Sequence, residues 1–106
     1  MGFTITPKDL KARLDKGEKL VLVDVREPWE YALAKLEGSI LIPLATLPQS
    51  INKLDRQTEI IAYCHHGMRS EDATMFLLQQ GFGNVKNLVG GIDAWSTQVD
   101  SSIPRY

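Results

Sequence analysis

A single cysteine, Cys64, stands in this 106-residue chain. No internal disulfide and no multi-cysteine metal site can therefore form, and a lone free thiol suits a reducing, cytoplasmic setting. Charge of one sign is missing too: 12 basic residues are interspersed with 13 acidic ones. That balance excludes the basic stripe of a nucleic-acid binder. No apolar run approaches the roughly 20 residues that cross a bilayer, so no membrane span is expected. The start of the chain lacks the charged, apolar and cleavage regions of a secretory signal. Met1-Gly2-Phe3-Thr4-Ile5-Thr6 does fit the loose myristoylation pattern, but Thr6, Pro7 and Asp9 read better as the start of a helix. There is no repeat and no low-complexity tract. What remains is one domain over 1–106, long enough to bury about two thirds of its unfolded surface.

Along the chain, apolar runs alternate with helical patterns. Phe3-Thr4-Ile5 predicts a short strand. A helix follows, capped by Thr6, opened by Pro7, packed through Leu10 and Leu14, and closed at Gly17. Leu20 to Val23 is apolar without alternation, which suits a strand covered on both faces. Asp24-Val25-Arg26 follows it, and Glu27 to Leu33 predicts a helix with Pro28 in its first turn and Trp29 and Leu33 on one face. Arg26 and Glu30 read as a structural ion pair. Ser39 to Ile42 is a further strand, stopped by Pro43, and 44–54 is helical after Pro48. Glu59 to Tyr63, then Asn84 to Leu88, complete the strands. Between them a helix opens at Ser70, with Met75 and Phe76 read as core, and ends at Gly81; a last helix begins at Ile92 and packs Trp95. The tail from Asp100 to Tyr106 is aperiodic. Strands alternating with helices at this spacing predict an α/β fold with a parallel sheet.

Chemistry concentrates in Tyr63 to Ser70, YCHHGMRS, where a buried strand delivers Cys64 to a polar loop ahead of a helix. A free cysteine is often a buried small hydrophobe. Here five of the next six residues are polar or glycine, which reads as an exposed loop carrying a reactive thiol. With a free pKa near 8.5 only a few per cent of a thiol is ionised at neutral pH, so the site must stabilise negative sulfur. A helix N-terminus supplies about 1 kcal/mol, rising to about 2 when partly buried. Moving the pKa below 7 needs about 2 kcal/mol or more. The dipole is marginal alone, and Glu71 and Asp72 oppose it. The remaining field is expected from backbone amides of residues 65 to 70, turned inward by a positive φ at Gly67, and from Arg69 and a protonated His65 or His66. The two histidines alone are weak signals, with no third ligand at metal-site spacing, and are assigned substrate contact; no metal or cofactor is expected.

Four stretches together resemble the single-domain rhodaneses, a sulfurtransferase family: DVREPWEY from Asp24, GSILIPL from Gly38, YCHHGMRS from Tyr63 and GGIDAW from Gly90. The resemblance implies a rhodanese-like three-layer sandwich whose five-stranded parallel sheet is flanked by helices. It implies Cys64 as catalytic nucleophile, with His65, His66, Gly67, Met68, Arg69 and Ser70 holding the substrate. The thiolate would take sulfane sulfur from a donor such as thiosulfate and pass it from a Cys64 persulfide to cyanide or a cellular thiol. One segment departs: many members carry Gly-His-Ile where this chain has Ala34-Lys35-Leu36. Two other readings stand beside this one. A persulfide carrier or docking module for a specific protein partner, such as a sulfur-relay protein, would look the same in sequence. Cysteine phosphatases also cradle an anion between Cys and Arg, but across five residues; four separate Cys64 from Arg69 here, and the smaller ring suits one sulfur better than a phosphate.

Overall fold

The computed structural model describes residues 2–106, so the Met1 end of the myristoylation pattern lies outside the described residues. Strands and helices alternate as β1 (Thr4–Ile5), α1 (Pro7–Asp15), β2 (Val21–Asp24), α2 (Pro28–Leu33), β3 (Ile40–Leu41), α3 (Leu47–Ser50), β4 (Ile60–Tyr63), α4 (Met68–Gln79), β5 (Val85–Leu88) and α5 (Gly91–Gln98). Short 3₁₀ turns, Leu44–Thr46 and Ile51–Lys53, flank α3. The strands form one five-stranded sheet in the order β1-β5-β4-β2-β3, and every pairing is parallel.

Both sheet faces are covered, as the unbroken apolar runs require. Side chains of β4 alternate: Ile60 and Ala62 enter one core with Leu47, Ala73, Leu77 and Phe82, while Ile61 and Tyr63 enter the other with Leu10, Ile92 and Trp95. Helices α3 and α4 thus lie on one face and α1 and α5 on the opposite one, giving three layers. After β2 the chain moves outward to β3, and after β4 it moves the other way to β5. The connections leaving β4 and β2 thus run in opposite directions past the C-terminal ends of this pair, the usual place for a site in an open α/β sheet.

Local signals account for most boundaries. The Thr6 hydroxyl accepts from the Asp9 amide at 3.1 Å, and Gly17 takes φ 78° just after α1. Several expectations are corrected. Helix α4 opens at Met68 rather than Ser70, because Gly67 caps it at φ 108° and its carbonyl accepts from the Glu71 amide at 3.1 Å. Its buried stripe is Ser70, Ala73, Thr74 and Leu77; Met75 falls off that stripe and is 46% exposed, while Phe76 is partly buried. Trp29 and Leu33 do share a face of α2, but the face is turned to solvent. Arg26 and Glu30 do not pair. The guanidinium of Arg26 is taken by Asp24 at the end of its own strand, and Glu30 turns to Arg69.

Candidate active site

Cys64 is the first residue past β4 and continues its alternation into the α4 layer. It is 1% exposed, so the expectation of a thiol on an exposed loop is corrected. The sulfur lies at the foot of a pocket of about 310 Å³ lined by Cys64, His65, His66, Met68 and Arg69. Burial does not make it a core filler, because three donors converge on it. The Gly67 amide stands 3.1 Å from Sγ, the Ser70 amide 3.4 Å and the Ser70 hydroxyl 3.3 Å. Donors converging at a helix N-terminus can stabilise negative charge at that position. A second pocket of about 310 Å³, walled by Leu14, Leu36, Trp95 and Ile103, lies on the opposite face of the sheet and contains neither Cys64 nor its donors.

The cradle is fixed from β5. Asn87, buried near the end of that strand, donates from Nδ2 to the Gly67 carbonyl at 3.0 Å, which turns its Oδ1 toward the Ser70 hydroxyl at 2.5 Å. Ser70 has one hydroxyl proton, so it serves either Asn87 or the sulfur. A thiol at Cys64 can donate to Ser70 Oγ while Ser70 donates to Asn87; a thiolate draws the Ser70 proton to itself. The Gly90-Gly91 turn closes the arrangement from below. Gly91 has φ 62°, and a Cβ there would collide with the Cys64 and His65 carbonyls. Those carbonyls accept from the Ile92 amide at 2.9 Å and the Asp93 amide at 3.1 Å.

Arg69 lines the pocket but gives Sγ no hydrogen bond. Its guanidinium makes a two-pronged contact with Glu30, at 2.7 and 3.0 Å. Arg69 holds the Glu30 carboxyl well below its ordinary value, at about 2, against the opposing effect of burial. The Tyr106 hydroxyl donates to Glu30 at 2.7 Å and accepts from Arg26 at 2.6 Å. Burial and the bond to Glu30 raise the phenol to about 12, although the Arg26 bond works the other way. Arg26, fully buried, also donates to both Asp24 oxygens and to the Ala34 carbonyl at 2.6 Å. Ala34 thus supports the network, while Lys35 of the departing segment lies over the Tyr31 ring, 4.8 Å from its centroid.

His65 is stacked between His66 and Tyr106, with ring centroids 4.0 Å away on either side. Its Nε2 is buried without a partner, and burial first, then His66, push its pKa down. Neutral imidazole is therefore favoured there, against the expectation of a protonated ring. Folding does bring a third group to the histidines: one ligand atom each from His65, His66 and Asp93 lie within 4.8 Å of one another. The stacked rings, 24° apart, send their in-plane lone pairs side by side instead of toward one point, and Arg105 occupies the Asp93 carboxylate at 2.8 Å. Met68, 79% exposed, stands at the mouth.

Of the residues singled out from sequence, Cys64, Gly67 and Ser70 meet at the sulfur, whereas His65, His66, Met68 and Arg69 form the wall and rim. Asn87, Glu30 and Tyr106 were missed as parts of the site. Asn87 had one signal, a polar side chain in a strand buried on both faces; Tyr106, in the aperiodic tail, had none.

Comparison with known proteins agrees with this architecture. The model of the rhodanese-like domain matches residues 6–98. A sulfurtransferase of Allochromatium vinosum is 36% identical over 92 residues, covering 87% of this chain and 86% of that protein. MoeZ of Mycobacterium tuberculosis, named as a probable adenylyltransferase/sulfurtransferase, is 37% identical over 107 residues, covering 99% of this chain but only 27% of that protein. The chain thus spans about a quarter of that relative's length. Among solved structures, a rhodanese-related protein from Thermoplasma volcanium superposes with a TM-score of 0.84 at 32% identity, covering 92% of this chain and 93% of that one. With its five-stranded parallel sheet and a matched family model over most of its length, the chain belongs to the rhodanese-like domain family.

Proposed function

We propose that the chain, acting as one domain over 1–106, is a sulfurtransferase that carries sulfane sulfur as a persulfide on Cys64. The observation that carries this is the cradle of Gly67 N, Ser70 N and Ser70 Oγ around Sγ. A thiolate there attacks the outer sulfur of a donor such as thiosulfate. The new Sγ–S bond forms as the donor's S–S bond breaks, and sulfite leaves with the electron pair. A thiophilic acceptor, cyanide in an assay or a thiol in the cell, then attacks the terminal sulfur and returns Cys64 as thiolate. This is covalent catalysis in two half-reactions, with ping-pong kinetics. No cofactor or metal enters either step. The pocket wall of His65, His66, Met68 and Arg69 receives the donor and then the acceptor.

Intact mass after incubation with a sulfur donor tests the reading. One added sulfur on the wild-type chain, absent in Cys64→Ser and removed by cyanide, is the expected result; no adduct from thiosulfate, 3-mercaptopyruvate or an organic persulfide sinks it.

A second reading, a persulfide carrier working with a sulfur-relay protein, is favoured by the similarity to a much longer relative named for both adenylyl and sulfur transfer. Fast loading from a protein persulfide beside slow thiosulfate turnover would select it. The phosphatase reading draws no support from the pocket: the one arginine lining it is already matched by a carboxylate. We place the protein in the cytoplasm, on its single free thiol; no helix among the described residues is long and apolar enough to cross a membrane.

A further inference from the structure

The pocket that holds Cys64 has almost no uncompensated positive charge. Arg69 is matched by Glu30 at 2.7 and 3.0 Å, Arg26 by Asp24 at 2.6 Å, and Arg105, beyond His66, by Asp93 at 2.8 Å. These three cations and three carboxylates cancel, so a Cys64 thiolate leaves the site net negative. Besides Arg69, the pocket is lined by Cys64, Met68 and the stacked rings of His65 and His66, and His66 lies 3.8 Å from Asp93. Tyr106 stacks on His65 and meets Trp29 edge-on with centroids 6.0 Å apart, and Trp29 and Met68 are 61% and 79% exposed. A dianion approaching a thiolate in such a pocket meets repulsion, and among the described residues the arginine that lines it is already ion-paired, whereas an alkyl chain meets surface it can cover.

We propose that Glu30, held by Tyr106, sets the donor class: by neutralising Arg69 it favours an organic persulfide of low charge over the thiosulfate dianion. This rests on the persulfide role of Cys64 proposed above. In the favoured step the thiolate attacks the outer sulfur of R–S–SH. The Sγ–S bond forms, the S–S bond of the donor breaks, and the alkyl sulfur leaves with the electron pair and takes up the proton of the outer sulfur as R–SH. Cys64 is left as persulfide anion, so charge and electrons balance without an oxidant.

Single-turnover loading of Cys64 in the full chain, read by intact mass with thiosulfate and with cysteine hydropersulfide, tests the proposal through the ratio of the two second-order rate constants. Glu30→Gln is nearly isosteric and uncovers the Arg69 charge; it should raise the thiosulfate constant about tenfold relative to the persulfide constant. Met68→Lys adds a cation at the exposed mouth without touching the network, and should shift the ratio the same way even if Glu30→Gln does not fold. A ratio that is unchanged, or that moves toward the persulfide, in either folded variant overturns the proposal. Failure of both donors to load wild-type Cys64 overturns sulfur transfer itself, and is recognised by the missing adduct rather than by a ratio.

Discussion

The ring of Tyr106 lies flat on the imidazole of His65, centroids 4.0 Å apart and planes 7° from parallel. This contact ties the tail to the loop that follows Cys64, while the same tyrosine's hydroxyl joins Arg26 to Glu30. Tyr106→Phe keeps the stack and removes only the hydroxyl. It leaves a buried guanidinium one partner short, which should cost about 1–3 kcal/mol. Tyr106→Ala removes the stack as well and should speed alkylation of Cys64 by iodoacetamide beyond the Phe variant. Thermal denaturation and alkylation rates check the two effects separately; equal alkylation rates in the two variants would show that the ring, through His65, does not shield Cys64.

Cys64→Ser replaces the sulfur by a smaller acceptor of the same three donors. Sulfur loading should vanish while the melting temperature stays within a few degrees of wild type, since the cradle keeps an oxygen to donate to. A loss of stability as large as that of a core truncation, about 2–5 kcal/mol, would mean that the thiol is chiefly a packing group.

Asn87 acts on the sulfur only through others, as it holds the Gly67 carbonyl and the Ser70 hydroxyl. In Asn87→Leu both partners lose their anchor and the Ser70 proton is no longer shared. Cys64 loading should slow about tenfold or more, by analogy with the loss of one donor from an anion hole. Ser70→Ala should slow loading too, and the double variant should be no slower than the worse single one, because both changes act on one donor set. Strictly multiplied effects on the measured loading rates would show instead that the two residues act independently.

The parts of the fold legible in the sequence are those with local causes. Thr6 and Pro7 start α1, Gly17 ends it, and the apolar runs at 20–23 and 59–63 required burial on both faces; each signal lies within a few residues of its effect. The loop was legible for the same reason, since Gly67 and Ser70 reach the sulfur from three and six positions away. What was not legible is long-range pairing. Ser70 meets Asn87 across 17 positions, Arg69 meets Glu30 across 39, and Tyr106 meets Glu30 across 76. Arg26 and Glu30 were near enough in sequence to suggest a pair, but Asp24 sits closer to the guanidinium at the strand end, and the folded chain offers Glu30 a different arginine. The start of α4 was set two residues late because Ser70 is a common cap and its place in the first turn depends on Gly67 adopting a left-handed φ.

Acid should expose the carboxylates that hold the layers together. Arg69 pulls the Glu30 carboxyl from 4.5 down to about 2, and Arg13 does the same for Glu59, whose ion pair joins α1 to the start of β4. A group depressed on folding stabilises the native state fully above its unfolded value and loses that contribution as pH falls toward its folded value. Stability should therefore decline between about pH 4.5 and about pH 2 as these pairs are protonated. Glu30→Gln and Glu59→Gln remove one titrating group each, so each variant should be less stable than wild type at neutral pH yet lose less between those limits. Urea denaturation midpoints measured across that range decide the matter: parallel curves for wild type and both variants would mean that neither ion pair drives the acid transition.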